Sequence, residues 1–291
     1  MLNALFLFLF RQSARLSLPV LHRIGTALGW AAYLLSGKYA ERLRDNLLHA
    51  LPQLSDHEFR RILRSNVAEM GKSLAELPWI WLRPLDQVLA GVQSCHGWDD
   101  LTAALARGKG VLIVTPHLGS FEMVGQYVTA SLPMTTLYRP PRLTWLEPIM
   151  RQGRQRGLLQ LARTDVSGVR AMLKALKRGE AVGLLPDQAP SNGEGIWVNF
   201  FGRPAYTMTL AERLAQATGA TIIMAYAERL PDGAGYILRF SPLTTHEATS
   251  VTEQMSAAVE QLVRACPAQY LWSYNRYKTP AGVQPPVPPT C

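Results

Sequence analysis

His117 and Glu122 stand five positions apart in the segment Thr115-Pro116-His117-Leu118-Gly119-Ser120-Phe121-Glu122. These two residue types can do proton chemistry together. An ionised carboxylate holds one imidazole nitrogen and leaves the other free as a general base near neutral pH. On one continuous helix, positions five apart diverge by about 140°. The two side chains therefore meet only if a helix begins between them. Gly119 permits a sharp turn, and Ser120 is a natural N-cap. Glu122 then falls in the first helical turn, where the helix dipole favours a charged carboxylate. A base of this kind without a protein nucleophile suits direct acyl transfer. Taken alone, the pair is equally compatible with a capping residue and an ordinary surface histidine.

The elements that must position the pair follow from the periodicity. Val111–Thr115 is a short apolar strand that delivers His117 to its carboxyl end. Further strands are predicted at 135–138, 181–185, 196–201, 222–227 and 236–240, and helices at 98–106, 166–178, 209–217 and 252–265. Ser55-Asp56-His57-Glu58 is a capping box that opens a helix toward Leu82. Strands alternating with helices predict an α/β fold, a single domain whose largely parallel central sheet is flanked by helices.

Other reactive residues cluster after these strands. Arg139 follows one strand, and Arg154 and Arg156 follow the next helix-like stretch. A guanidinium in such a place binds phosphate or stabilises an oxyanion, although a solvated basic face is the commoner meaning of such a run. Pro186-Asp187-Gln188 ends a buried strand, where ligand sites of open α/β sheets lie. A carboxylate there orients an arginine, binds a substrate hydroxyl or simply forms a turn.

The chain has 291 residues, a formal net charge of +9, 48% hydrophobic and 18% charged residues. High apolar content with few charges fits a protein that leans on a membrane. The positive balance suits anionic lipid, phosphorylated substrates or acidic protein partners. Cys95, Cys266 and Cys291 are widely spaced and show no Cys-x-x-Cys pattern. Neither a disulfide framework nor a zinc site is expected, and a reducing, cytosol-facing location is the simplest reading. Residues 1–37 are predicted to form a membrane-anchoring helical segment lying in one leaflet. Arg11, Arg15 and Arg23 would reach the headgroups, with a single span and a buried core helix as the alternatives. Residues 38–278 form the catalytic domain, and the Pro-rich residues 279–291 a disordered tail.

Several of these segments, taken in order, resemble the bacterial lipid A late acyltransferases, the lauroyl/myristoyl acyltransferase family of the lysophospholipid acyltransferase-like superfamily. They are Asp45-Asn46-Leu47, His117 through Glu122, Tyr138-Arg139-Pro140, Gly153-Arg154, Pro186-Asp187-Gln188, Phe200 through Ala205, and Gln269-Tyr270-Leu271-Trp272 with Arg276-Tyr277-Lys278. The resemblance implies transfer of a fatty acyl chain from acyl carrier protein to a hydroxyl of a Kdo-linked lipid A precursor. It places the protein on the cytoplasmic face of the inner membrane. It implies no cofactor, metal or nucleic acid. His117 would be the base, Glu122 its orienting partner, and Arg154 the oxyanion or phosphate contact, with Arg139, Arg156 and Asp187 binding substrate. The chain departs from the family pattern at Ala189, where some members carry Asp, and at Ser273-Tyr274-Asn275, which replaces a commoner His-containing run. Within the same chemistry, another lysolipid or glycolipid acceptor is the alternative. A metal-dependent hydrolase is the alternative from a different class. It lacks evident further ligands, since His96 stands alone and His246 lies in a late loop.

Overall fold

A computed structural model describes residues 2–141, 143–190 and 193–286. The first helices are α1 (Leu2–Ser13), α2 (Leu18–Leu35), α3 (Gly37–Ala50), α4 (Asp56–Ala75), α5 (Leu77–Leu82) and α6 (Leu85–Leu89). The α/β core follows as β1 (Val92–His96), α7 (Trp98–Ala106), β2 (Val111–Val114), α8 (Phe121–Thr129), β3 (Met134–Tyr138), α9 (Glu147–Arg154), β4 (Leu159–Arg163), α10 (Val166–Lys177) and β5 (Ala181–Leu184). The hairpin β6 (Gly195–Phe200) and β7 (Arg203–Met208) precedes α11 (Leu210–Thr218), β8 (Thr221–Arg229), β9 (Tyr236–Pro242) and α12 (Val251–Ala265).

Seven strands form the main sheet in the order β1-β9-β8-β2-β5-β3-β4. Every neighbouring pair is parallel except β8 and β9. The expected architecture, a mostly parallel sheet flanked by helices, is therefore present. Its centre is covered on both sides. Leu112 and Val114 of β2 join one apolar cluster with Val182, Leu184 and Met224. Val111 and Ile113 join the other with Ala181, Ile223 and Ala225. Alternate side chains of a strand point to opposite faces, so a strand buried on both reads as a continuous apolar run.

The N-terminus differs from the expectation of one anchoring segment. It forms two helices, and no described helix is long and apolar enough to cross a membrane. One face of α2, with Leu18, Leu21, His22, Gly25, Gly29 and Tyr33, is buried, and α2 packs along α4. Close approach needs small residues: a Cβ at Gly71 would overlap the Gly25 carbonyl, and one at Gly29 the Val67 carbonyl. The capping box of Ser55 and Glu58 is present, but the helix it opens ends at Ala75, and α5 continues separately. Strands β1, β4 and β7 were not predicted. Each carries exposed or half-buried polar positions, so none shows an apolar run.

A buried ionic cluster joins these layers. Arg229, on β8, is fully buried and donates to Glu76 at 2.7 Å and to Glu69 at 2.9 Å. Glu76, between α4 and α5, also meets His22 at 3.2 Å and accepts from Tyr236 at 3.0 Å and from Ser120 at 2.6 Å. Burial pushes the Glu76 carboxyl up, but the Arg229 guanidinium and the other donors outweigh it and bring it from 4.5 down to about 2. A depressed folded-state value gives stability that is complete above about pH 4.5 and is lost as pH falls toward 2. That difference corresponds to roughly 3 kcal/mol. Glu76→Gln is expected to lose about that much at neutral pH, and the gap to the parent should close between pH 4.5 and 2. Denaturant titrations of both proteins across this range test it. A gap that stays constant with pH would show that Glu76 titrates normally.

Candidate active site

The register of β2 on β5 places the catalytic candidates. Val114 lies opposite Leu184 in a parallel pair, and both chains then continue for three residues, to His117 and Asp187. His117 Nδ1 stands 2.7 Å from Asp187 Oδ1, and the His117 backbone N–H donates to Oδ2 at 2.8 Å. Asp187 is buried. Burial pushes its carboxyl up, but the His117 ring and its hydrogen bonds, with Arg276 beyond, hold it below the ordinary aspartate value. An ionised Asp187 facing Nδ1 puts the ring proton on that nitrogen and leaves Nε2 as an acceptor. The His117 side chain is 16% exposed.

Orientation of His117 therefore comes from Asp187, which corrects the expected role of Glu122. The helix does begin between His117 and Glu122, as anticipated, and Gly119 takes φ +60. Glu122, however, lies in the first turn of α8 and faces a different set of partners. Arg154 Nε donates to its two oxygens at 3.0 and 3.1 Å, Arg154 Nη2 bonds Oε1, and Trp81 Nε1 donates to Oε2 at 3.0 Å. No hydrogen bond joins Glu122 to His117 among the described residues. The Arg154 guanidinium lies over the Trp81 ring, 5.7 Å from its centroid. Burial pulls the Arg154 pKa down, but the Glu122 carboxylate lifts it above its usual value. The cation is fixed, and its Nη1 remains without a partner among the described residues.

The turn that carries His117 is pinned along its length. Leu271 N–H donates to His117 O at 3.0 Å, Gly119 N–H to Gln269 O at 3.0 Å, and Ser120 N–H to Ala227 O at 2.8 Å. A Cβ at Gly119 would overlap the Ala227 carbonyl, so glycine is required by space as well as by φ. Ser120 occupies the N-cap position but does not cap with its side chain. Its hydroxyl donates to Glu76 instead, tying the turn to the buried cluster.

The remaining expected residues fare differently. Asp187 is at the site, but as the partner of His117. Arg156 is consumed by structure: it donates to the carbonyls of Ile80, Arg83 and Gly153 and to Gln126 Oε1. Four of its five N–H groups are engaged there, so the expected binding role rests on the one Nη1 N–H that has no partner among the described residues. Arg139 is exposed just beyond β3 and makes no hydrogen bond or ion pair among the described residues. Three further residues were not singled out. Gln188 Nε2 lies 3.1 Å from His117 Nε2. The buried Tyr270 and Arg276 both face Asp187, and Arg276 also donates to Tyr206 O at 2.8 Å. Tyr270 and Arg276 belong to the C-terminal motif noted in the sequence, yet only folding brings that motif beside β5. Asn46, from another noted motif, holds the same segment by donating to Trp272 O at 2.6 Å and Tyr274 O at 3.0 Å.

A cavity of about 640 Å³ is lined by Arg11, Arg15, Arg83, Gln87 and Gln152 with Ala14, Leu82 and Pro84. No carboxylate lines it, so its charge is positive. Among the described residues, no group of three or more His, Cys, Asp or Glu side chains is placed to hold a metal ion.

The profile of the family described as "Bacterial lipid A biosynthesis acyltransferase" matches residues 2–279. The lipid A biosynthesis lauroyltransferase of Escherichia coli (strain K12) is 30% identical, covering 92% of this chain and 89% of that protein. The lipid A biosynthesis palmitoleoyltransferase of the same organism is 29% identical over 92% and 88% of the two chains. A phosphatidylinositol mannoside acyltransferase of Mycobacterium tuberculosis (strain ATCC 25618 / H37Rv) is 25% identical over 65% and 59%. A match over residues 2–279, with relatives 30% and 29% identical over 92% of the chain, places this chain in the family of bacterial lipid A biosynthesis acyltransferases.

Proposed function

We propose that this acyltransferase moves a fatty acyl chain from acyl carrier protein to a hydroxyl of a Kdo-linked lipid A precursor, with His117 as general base. The observation that carries the reading is the His117–Asp187 pair. It fixes the ring and its tautomer and leaves Nε2 as the acceptor of a proton. The acceptor hydroxyl gives its proton to Nε2 as its oxygen attacks the thioester carbonyl. Asp187 offsets the charge of the imidazolium that forms. When the tetrahedral intermediate collapses, the C–S bond breaks and Nε2 returns the proton to the leaving thiolate. Glu122 serves through Arg154: it holds the guanidinium, whose free Nη1 is suited to an oxyanion or a phosphate.

The surroundings suit these substrates. A net charge of +9 attracts an acidic carrier protein and a phosphorylated glycolipid. The basic cavity beside α1 is the place we assign to an acceptor phosphate. Next to it α1 and α2 expose Leu5, Phe6, Phe8, Leu9, Val20, Ile24 and Leu28. Exposed apolar side chains in this number on two successive helices suit docking into a single leaflet of the inner membrane at its cytoplasmic face. The mannoside acyltransferase relative favours a second reading in which the same base serves another glycolipid hydroxyl.

Purified protein incubated with a panel of acyl carrier protein thioesters and the Kdo-bearing tetra-acylated precursor should give a product heavier by one acyl group in mass spectrometry. His117→Ala is expected to abolish it, and Asp187→Asn to reduce it about 10²- to 10⁴-fold by losing control of the tautomer. Folded parent protein that acylates only other glycolipids would favour the second reading. Glu122→Gln and Arg154→Met should each lower turnover, and the double variant should be little worse than either. Losses that multiply would show that the two do not act as a unit. In liposome flotation, Phe8→Ser with Leu28→Ser should weaken binding to all vesicles. Arg11→Ala with Arg15→Ala should weaken it only for anionic vesicles and most at low salt. Binding unaltered by both pairs would remove α1 and α2 as the membrane contact.

A further inference from the structure

Two consecutive residues clamp the two nitrogens of His117. Asp187 takes Nδ1, and the carboxamide of Gln188 lies against Nε2 at 3.1 Å. Because the proton stays on Nδ1 beside the carboxylate, Nε2 carries a lone pair. The carboxamide therefore presents an N–H to it and not its oxygen. Phe121 closes another side of the ring, edge-on at 5.1 Å between centroids. The position held by Gln188 is where a hydroxyl must sit to lose its proton to His117. In this resting arrangement the base is formed, oriented and occupied.

We infer that Gln188 is a latch on the general base, which keeps water from using it and yields to the acceptor hydroxyl. The inference rests on the assignment of His117 as the base. The hazard it meets follows from the chemistry. A water molecule on Nε2 can attack the same thioester: its oxygen adds to the carbonyl, its proton passes to Nε2, and the C–S bond breaks. The proton then goes to the thiolate, leaving free fatty acid and free thiol. To reach the lone pair, water or acceptor must displace the carboxamide. A glycolipid brings binding interactions remote from the hydroxyl that offset this displacement. Water brings none. One neutral hydrogen bond on Nε2 thus discriminates against the small nucleophile at little cost to the large one. Gln188 is half-buried on the loop after β5, so its side chain has room to withdraw while Asp187 stays fixed.

The test is the partition between hydrolysis and transfer. Thiol release from the acyl carrier protein thioester is measured without acceptor, and transfer with acceptor, for the parent, Gln188→Met and His117→Ala. Methionine keeps the length and bulk of glutamine but donates nothing. Gln188→Met should raise the ratio of hydrolysis to transfer about 3- to 10-fold, the size expected from one neutral hydrogen bond. Mere structural damage would depress both rates together and leave the ratio unmoved. Gln188→Asn, too short to span the gap, should raise the ratio in the same direction. A ratio that is unchanged or lower in both variants overturns the latch. If His117→Ala has lost both reactions in that case, the base assignment stands and only the latch falls. If His117→Ala retains both reactions, the assignment and the latch fall together.

Discussion

A single buried guanidinium organises this molecule. Arg229 is out of water, and the cost of burying its cation is offset by Glu69 and Glu76, which meet it in ion-pair geometry. A buried pair of this kind adds little over a well-packed apolar core, but removing one partner strands the other and costs about 3–5 kcal/mol. The constraint therefore acts on geometry. The cluster gathers β8, β9, α2, the end of α4 and the turn before α8, and each supplies a group that the others need. The helices that expose apolar side chains and the turn that holds His117 are fixed to the same charge.

From that anchor the site follows by the rules of a parallel sheet. Adjacent parallel strands release their chains at the same edge, so residues equally far beyond β2 and β5 fall side by side. His117 and Asp187 are such a pair. The turn between β2 and α8 has its backbone groups engaged by Asp187, Ala227, Gln269 and Leu271, which leaves the imidazole little freedom. A base held in this way meets its substrate without a further ordering cost. The Glu122–Arg154–Trp81 group is a second, separate unit, held by its own ion pair and ring contact.

The arginines show why charge alone is a poor guide to binding. Arg156 and Arg154 are two residues apart on the same basic stretch. One spends most of its fork on the carbonyls of Ile80, Arg83 and Gly153 and on Gln126, while the other holds a carboxylate with Nη1 to spare. Arg83 similarly closes the end of α1 by donating to the carbonyls of Ala14, Arg15 and Leu16. Arg11 and Arg15, in the segment first read as an anchor, line a basic cavity, and Arg139 is exposed without a partner among the described residues.

By itself the sequence determined the fold class, most of the buried strands and amphipathic helices, and the family. Each of these is carried by local periodicity or by ordered motifs. Val111–Val114 and Ala181–Leu184 were legible because burial on both faces leaves an apolar run. Edge elements such as β1 and β4 were not, since their exposed faces carry polar residues. His117, Glu122, Arg154 and Asp187 were all legible as candidates, but their pairing was not. A spacing of five suggested Glu122 as the partner of His117, because proximity along the chain is all that spacing measures. The tertiary structure chose Asp187, seventy positions away, because strand register sets which side chains meet across a sheet. It likewise gave Ser120 to Glu76 and not to its own helix, turned most of the Arg156 fork onto the protein, and set Gln188 against His117 Nε2. These are contacts between distant segments, and only the packed sheet and the buried charge beneath it could decide them.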